Sequence, residues 1–172
     1  GVARRFFRNI LKGLESLQRM KLCHGNLSLD TITVRGNEES CVISQLGSCL
    51  RTPDDHRLET QLVTGMRSPQ FVAPELWSGR PVDVYAADLW SAAVVLYVAL
   101  LGSDSLFVAP VPGDRTFAKI CGNLKEFAQK RRKVSSVSEE ILDLLQSMLK
   151  VDPGERFTLA QVQAHPWVAT KP

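Results

Sequence analysis

Residues 24–31 read "HGNLSLDT", with a His to anchor, Leu27 to bury, and polar side chains at intervals between them. That is the pattern of a catalytic loop. Proton transfer there needs a carboxylate base, and metal-assisted chemistry needs a hard oxygen ligand. The corresponding places hold Asn26, whose amide cannot serve as the base, and Thr31. Asp30, Asp54 and Asp55 are the carboxylates nearby that could substitute, although solvated loop acids are the plainer reading of all three. His24 reads as a structural anchor rather than a metal ligand. Cys23, Cys41, Cys49 and Cys121 are scattered without a CxxC pair, which points to reduced intracellular thiols rather than a zinc site or a disulfide framework. No metal is expected.

Such a loop needs elements to hold it. Upstream, Phe7, Ile10, Leu11, Leu14 and Leu17 recur at three- and four-residue spacing, which predicts a first helix over 1–20. Downstream, "TITV" (31–34) and "CVIS" (41–44) predict a hairpin, with Gly36-Asn37 suited to its turn. Residues 45–72 carry no sustained period and contain Pro53, Gly65 and Pro69, so an extended loop is expected. Asp83 is placed to cap a buried helix whose apolar stretch "LWSAAVVLYVALLG" (89–102) reads as too short to cross a bilayer. "RTFAKICG" predicts a short helix ending at Gly122, and "SEEILDLLQSMLK" (138–150) an amphipathic one. Thr158 and Gln161 form a capping box for a last helix that Pro166 ends. "KRRK" (130–133) reads as a solvated loop between helices. The fold class is mainly α with a small β-hairpin.

Composition agrees with one folded domain. The 172 residues are 44% hydrophobic and 23% charged, with a net charge of only +3, so neither wholesale disorder nor nucleic-acid binding is expected. No signal peptide or transmembrane segment is read, and an intracellular, cytoplasmic, soluble protein is expected.

In order, "HGNLSLDT", "QLG" (45–47), "APE" (73–75), "DLWSAAVVLY" (88–97) and "LLQSMLKVDPGERFTLAQVQAHPW" (144–167) resemble the C-terminal lobe of a eukaryotic protein kinase over nearly the whole chain. "SPQFVAPE" (68–75) and the "HPW" ending lean towards the calmodulin-dependent-kinase-like Ser/Thr branch. The resemblance implies a single C-lobe over 1–172. It comprises a first helix (1–20), a degenerate catalytic loop and hairpin (24–47), an activation-segment-like loop (48–75) and a helical subdomain (83–172). The N-lobe, with its Gly-rich loop and ATP-holding Lys, is absent from this sequence, which contains no GxGxxG.

The departures from the family are chemical. By resemblance, Asn26 replaces the catalytic Asp, Ser28 the Lys that steadies the transferring phosphate, and Thr31 and Gln45 the two magnesium ligands. Gly25 replaces the Arg that pairs with activation-loop phosphate, so phosphorylation at Thr64 or Ser68 would lack its usual partner. The architectural positions are kept. Glu75 and Arg156 match a buried ion pair, Asp88 the residue that holds the catalytic-loop backbone, and Trp90 a core aromatic. The implied function is a catalytically inactive pseudokinase module, a scaffold or assembly subunit that binds a protein partner and neither nucleotide nor other cofactor. The alternative is a divergent Ser/Thr kinase-like phosphotransferase working with a separate N-lobe. The segment 48–72 and the helix near 115–122 are the expected partner surface, with Phe107, Val108 and Phe117 as apolar anchors if exposed.

Overall fold

In a computed structural model, residues 1–36, 40–62, 68–102, 106–130 and 137–170 are described. Helix α1 (Val2–Arg19) buries the five apolar residues that its spacing placed on one face. Strand β1 (Leu22–Cys23) follows, then the loop, then the antiparallel hairpin of β2 (Ile32–Arg35) and β3 (Ser40–Ile43) in register Ile32↔Ile43. Gly13 of α1 sits under this hairpin: a Cβ there would meet Ile43 Cδ1 at 2.8 Å. A larger residue would push helix and hairpin apart.

Two further pairings organise the long segment after the hairpin. Strand β4 (Leu50–Arg51) pairs with β1, and β5 (Arg57–Leu58) with β6 (Val82–Asp83), both antiparallel. The segment read as an extended loop is therefore pinned at two points. Two-residue strands are too short to leave a period in the sequence. Residues 63–67, including Thr64, lie outside the described part.

Helix α2 (Val84–Leu101) is the centre of the molecule. Asp83 caps it, accepting from the Tyr85 and Ala86 N–H groups at 2.9 and 3.1 Å. It begins five residues before the apolar stretch. With 18 residues it is longer than the 89–102 stretch and apolar enough to cross a membrane by length and composition alone, a test that a buried core helix also passes. In this fold 78% of it is buried, with Trp90, Tyr97 and Leu96 inside the core.

Helices α1 and α5 (Glu139–Met148) pack on α2, and α3 (Arg115–Gly122) meets it through Phe117 on Trp90. Helix α4 (Leu124–Gln129) packs on α3 and α5, and α6 (Leu159–Ala164) and α7 (Pro166–Ala169) on each other and on α1. Gln146 of α5 locks the α3–α4 junction, accepting from Leu124 N–H at 2.6 Å and donating to the Cys121 carbonyl at 2.9 Å. Thr158 and Gln161 form the capping box of α6, and Pro166, at the break after it, starts α7. Lys130 pairs with Glu126 at 2.6 Å, while the rest of "KRRK" lies outside the described residues.

Candidate functional site

The loop hangs from α2 by one carboxylate. Asp88 accepts from the His24 N–H at 2.7 Å and from the Gly25 N–H at 2.9 Å, using one oxygen for each. Gly25 takes φ +71°, in the left-handed region where a side chain is strained. Burial pushes the Asp88 carboxyl up to about 6, against the pull of those two N–H groups. Among the described residues no Lys or Arg pairs with it.

His24 is buried and both its ring nitrogens are used. The Asn26 N–H donates to Nδ1 at 3.3 Å, so Nε2 carries the proton and donates to the Ser44 carbonyl at 3.0 Å. It is a neutral strut between the loop and the end of the hairpin.

Thr31 is also consumed by the scaffold. Its hydroxyl accepts from the Ser28 N–H and donates to the Ser28 carbonyl, both at 2.9 Å. The side chain thereby clasps a tight 28–31 turn, buried with 1% exposure. Gln45 is exposed, sits at φ +57°, and donates through Nε2 to the Asp30 carbonyl at 3.1 Å. Asn26 is half-buried and Ser28 buried.

Asn26, Ser28, Asp30, Thr31 and Gln45 line a cavity of about 120 Å³ with Ser68, Asp88 and Ser91. Its apolar wall comes from Leu27, Phe71, Val72 and Leu76. Of these, Leu27 is the Leu the loop pattern marks for burial, whereas Ser91, Phe71, Val72 and Leu76 carry no site signal of their own in the sequence. Ser91 lies three residues after Asp88, on the same face of α2, and that spacing was the available signal. Its hydroxyl donates to the Phe71 carbonyl at 2.7 Å, which holds the wall in place.

Asp54 and Asp55 do not line this cavity. Asp54 pairs with Lys21 at 2.7 Å, whose ammonium holds its carboxyl below the usual range, and Asp55 accepts from the Arg57 N–H at 3.1 Å. The four thiols are free, and burial pushes Cys23 and Cys121 up to about 12, so neither is a ready nucleophile. Among the described residues no group of three His, Cys, Asp or Glu is placed to hold a metal ion.

A second charged cluster lies two residues away along α2. Arg156 donates from Nη1 to Glu75 Oε1 at 2.6 Å and to the Ala86 carbonyl at 2.8 Å. From Nη2 it donates to Glu75 Oε2 at 2.9 Å and the Lys150 carbonyl at 3.0 Å, and from Nε to the same carbonyl at 3.1 Å. Every guanidinium N–H is thereby satisfied. Its plane lies against Trp90, 5.1 Å from Cζ to the ring centroid. The Arg156 side chain is 0% exposed and that of Glu75 9%.

The apolar anchors divide. Phe107 (3% exposed) and Phe117 (5%) are buried, which removes them from any partner surface. They meet edge to face at 5.3 Å and each packs on Trp90, at 6.3 and 6.2 Å. Burying two aromatic rings against a third stabilises more than exposing them beside a Pro- and Gly-containing linker would. Val108 is 80% exposed.

Residues 1–168 match the protein kinase domain family model. The chain is 28% identical over 170 residues to the serine/threonine-protein kinase SAPK7 of Oryza sativa subsp. japonica, covering 96% of this chain and 45% of that protein. It is 29% identical over 166 residues to the serine/threonine-protein kinase SRK2C of Arabidopsis thaliana, covering 96% of this chain and 47% of that protein. The chain thus spans about half the length of these curated relatives. With the family model matched along almost all of the chain, and the loop, the "APE" turn and the helices around α2 arranged as described, the chain belongs to the protein kinase domain family.

Proposed function

We propose that this chain is the C-lobe of a catalytically inactive kinase, a module that offers a kinase-shaped surface to a protein partner. The observation that carries this reading is the fate of the loop's chemical positions. Asn26 and Gln45 are neutral amides where the family's mechanism uses carboxylates, and the Thr31 hydroxyl is spent on Ser28. Asp88 is committed to two backbone amides.

The remaining donor set does not suit the magnesium that kinase chemistry implies. Mg²⁺ takes one or two carboxylates plus water and phosphate oxygens in near-octahedral order. Here, among the described residues, Asp30 is the one lining carboxylate not already committed to backbone amides, so no step is assigned to a metal-held nucleotide. Losing the general base alone costs about 10²–10⁴ in rate. Against that stands the expense of keeping the frame, since Arg156 has every guanidinium N–H bonded in a buried cluster with Glu75 and Trp90 that carries no chemistry of its own. A scaffold retained without its reactive groups fits recognition of a protein better than turnover.

The test is a thermal-shift and calorimetric titration with Mg-ATP, alongside transfer of labelled γ-phosphate to a generic protein substrate. No stabilisation and no transfer are expected, and a clear response to millimolar Mg-ATP would overturn the proposal.

A second reading is favoured by one observation. The relatives are named serine/threonine-protein kinases and extend well beyond this chain. A nucleotide-binding lobe supplied from such a segment, with Asp30 as replacement carboxylate, would make this the substrate-side half of a divergent phosphotransferase. Under that reading Asp30→Asn abolishes transfer in the longer protein; under the first there is none to abolish.

A further inference from the structure

We infer that the cavity beside the loop is a receptor for a single cationic side chain, a lysine or arginine presented by a partner protein. This deepens the proposed function and rests on it, because the cavity would otherwise face a nucleotide.

Size decides the first point. Sites for small-molecule ligands and cofactors run to about 300–1,000 Å³, whereas this cavity holds about 120 Å³. One side chain fits and a nucleoside does not.

Charge decides the second. Among the described residues lining it there is no Lys, Arg or His, and there are two carboxylates, Asp30, exposed, and Asp88, buried. Ser28 stands in the lining where, by the family resemblance, a lysine belongs. A phosphate would meet two negative groups and no cation. A lysine would instead lay its methylene stem along Leu27, Phe71, Val72 and Leu76 and bring its ammonium towards the carboxylates, the arrangement that amphipathic cationic side chains favour. Asn26, Ser68 and Gln45 line the same space, and each carries a neutral oxygen able to accept from an ammonium.

The experiment is an NMR titration of this chain with four capped tripeptides, Gly-Lys-Gly, Gly-Ser-Gly, Gly-Glu-Gly and Gly-Leu-Gly. The lysine peptide is expected to shift the backbone amides of Gly25–Thr31 and to saturate, the others to bind at least five-fold more weakly. Asp30→Asn, an exposed change, should weaken the lysine peptide about five-fold. Ser28→Lys, which places a cation of the chain's own in the cavity, should abolish its binding. Equal binding of the serine, glutamate or leucine peptide, an unchanged affinity in Asp30→Asn, or shifts mapping away from the loop would each overturn the inference. Mg-ATP is titrated in parallel. Failure of the lysine peptide with no response to Mg-ATP removes this inference alone, whereas a response to Mg-ATP removes the proposed function with it.

Discussion

Helix α2 serves two clusters within one turn, and they have gone opposite ways. At Ala86 it gives a carbonyl to Arg156, in a buried ion pair with Glu75 where every guanidinium N–H is used. At Asp88 it holds a loop where Asn26, Ser28, Thr31 and Gln45 are neutral and the exposed Asp30 is the other carboxylate. In the first cluster the charges hold two distant segments together; in the second, a single carboxylate holds the backbone of a loop. One helix thus anchors two clusters by different means, a guanidinium with a carboxylate at one and a carboxylate on two backbone amides at the other.

The strongest way to break this contrast is to remove charge from the anchor. Glu75→Ala leaves Arg156 buried without its carboxylate, and the expected loss is about 3–5 kcal/mol of unfolding free energy, read from the denaturant midpoint. An unchanged midpoint would mean that the carbonyls of Ala86 and Lys150 hold Arg156 unaided.

Asp88 sharpens the contrast through pH. Its folded value of about 6 lies above the unfolded value near 3.8, so between those limits the folded state binds more protons and stability falls as pH rises. The stabilisation is present in full below pH 4 and lost as pH passes through about 6. Two units correspond to about 3 kcal/mol as an upper bound. Asp88→Asn has no such titration, so the stability difference between the two proteins should change across pH 4–6 and be flat above 7. A constant difference would place the Asp88 carboxylate in a more polar setting than its burial implies.

How far these clusters could be read from residues alone differs in a physical way. Asp83, Thr158 and Gln161 act within one helical turn, so a local pattern identified them. Glu75 and Arg156 are 81 positions apart, and only the family resemblance brought them together. Phe107 and Phe117 flank the linker "APVPGD" and read as surface, because nothing local reports that Trp90 is waiting beneath them. The pairing of β1 with β4 depends on two residues on each side, fewer than any alternation can reveal. The Thr31–Ser28 clasp was missed for another reason: the resemblance marked Thr31 as a lost ligand, and that hid its gain of a structural role.

That clasp gives a smaller effect. Thr31→Val removes the hydroxyl and leaves the buried Ser28 N–H without its acceptor, for an expected loss of about 1–3 kcal/mol. Thr31→Ser keeps the hydroxyl and should stay close to the parent. If valine and serine behave alike in thermal denaturation, water replaces the clasp and the 28–31 turn is held by its backbone alone.

The smallest effect is expected at the two amides of the loop, Asn26 and Gln45. Asn26→Asp and Gln45→Asp together return a base and a metal ligand to the loop, and Asp, like Gln, tolerates the left-handed backbone at position 45. The cost is modest because both positions are at least partly open to solvent. The hydrogen bond from the Gln45 amide to the Asp30 carbonyl is lost, and two new carboxylates join Asp30 at the rim. Repulsion between exposed charges of this kind amounts to about 0–1 kcal/mol and is screened by salt, so the double variant should be slightly less stable than the parent in dilute buffer and equal to it in molar salt. No phosphate incorporation from Mg-ATP is expected, because phosphoryl transfer depends on positioning a nucleotide and the cavity beside the loop is sized for a side chain. Incorporation well above the parent would show that the anchor preserved a competent active site and that two amides alone kept it silent. The two clusters on α2 would then differ by two substitutions and not by purpose.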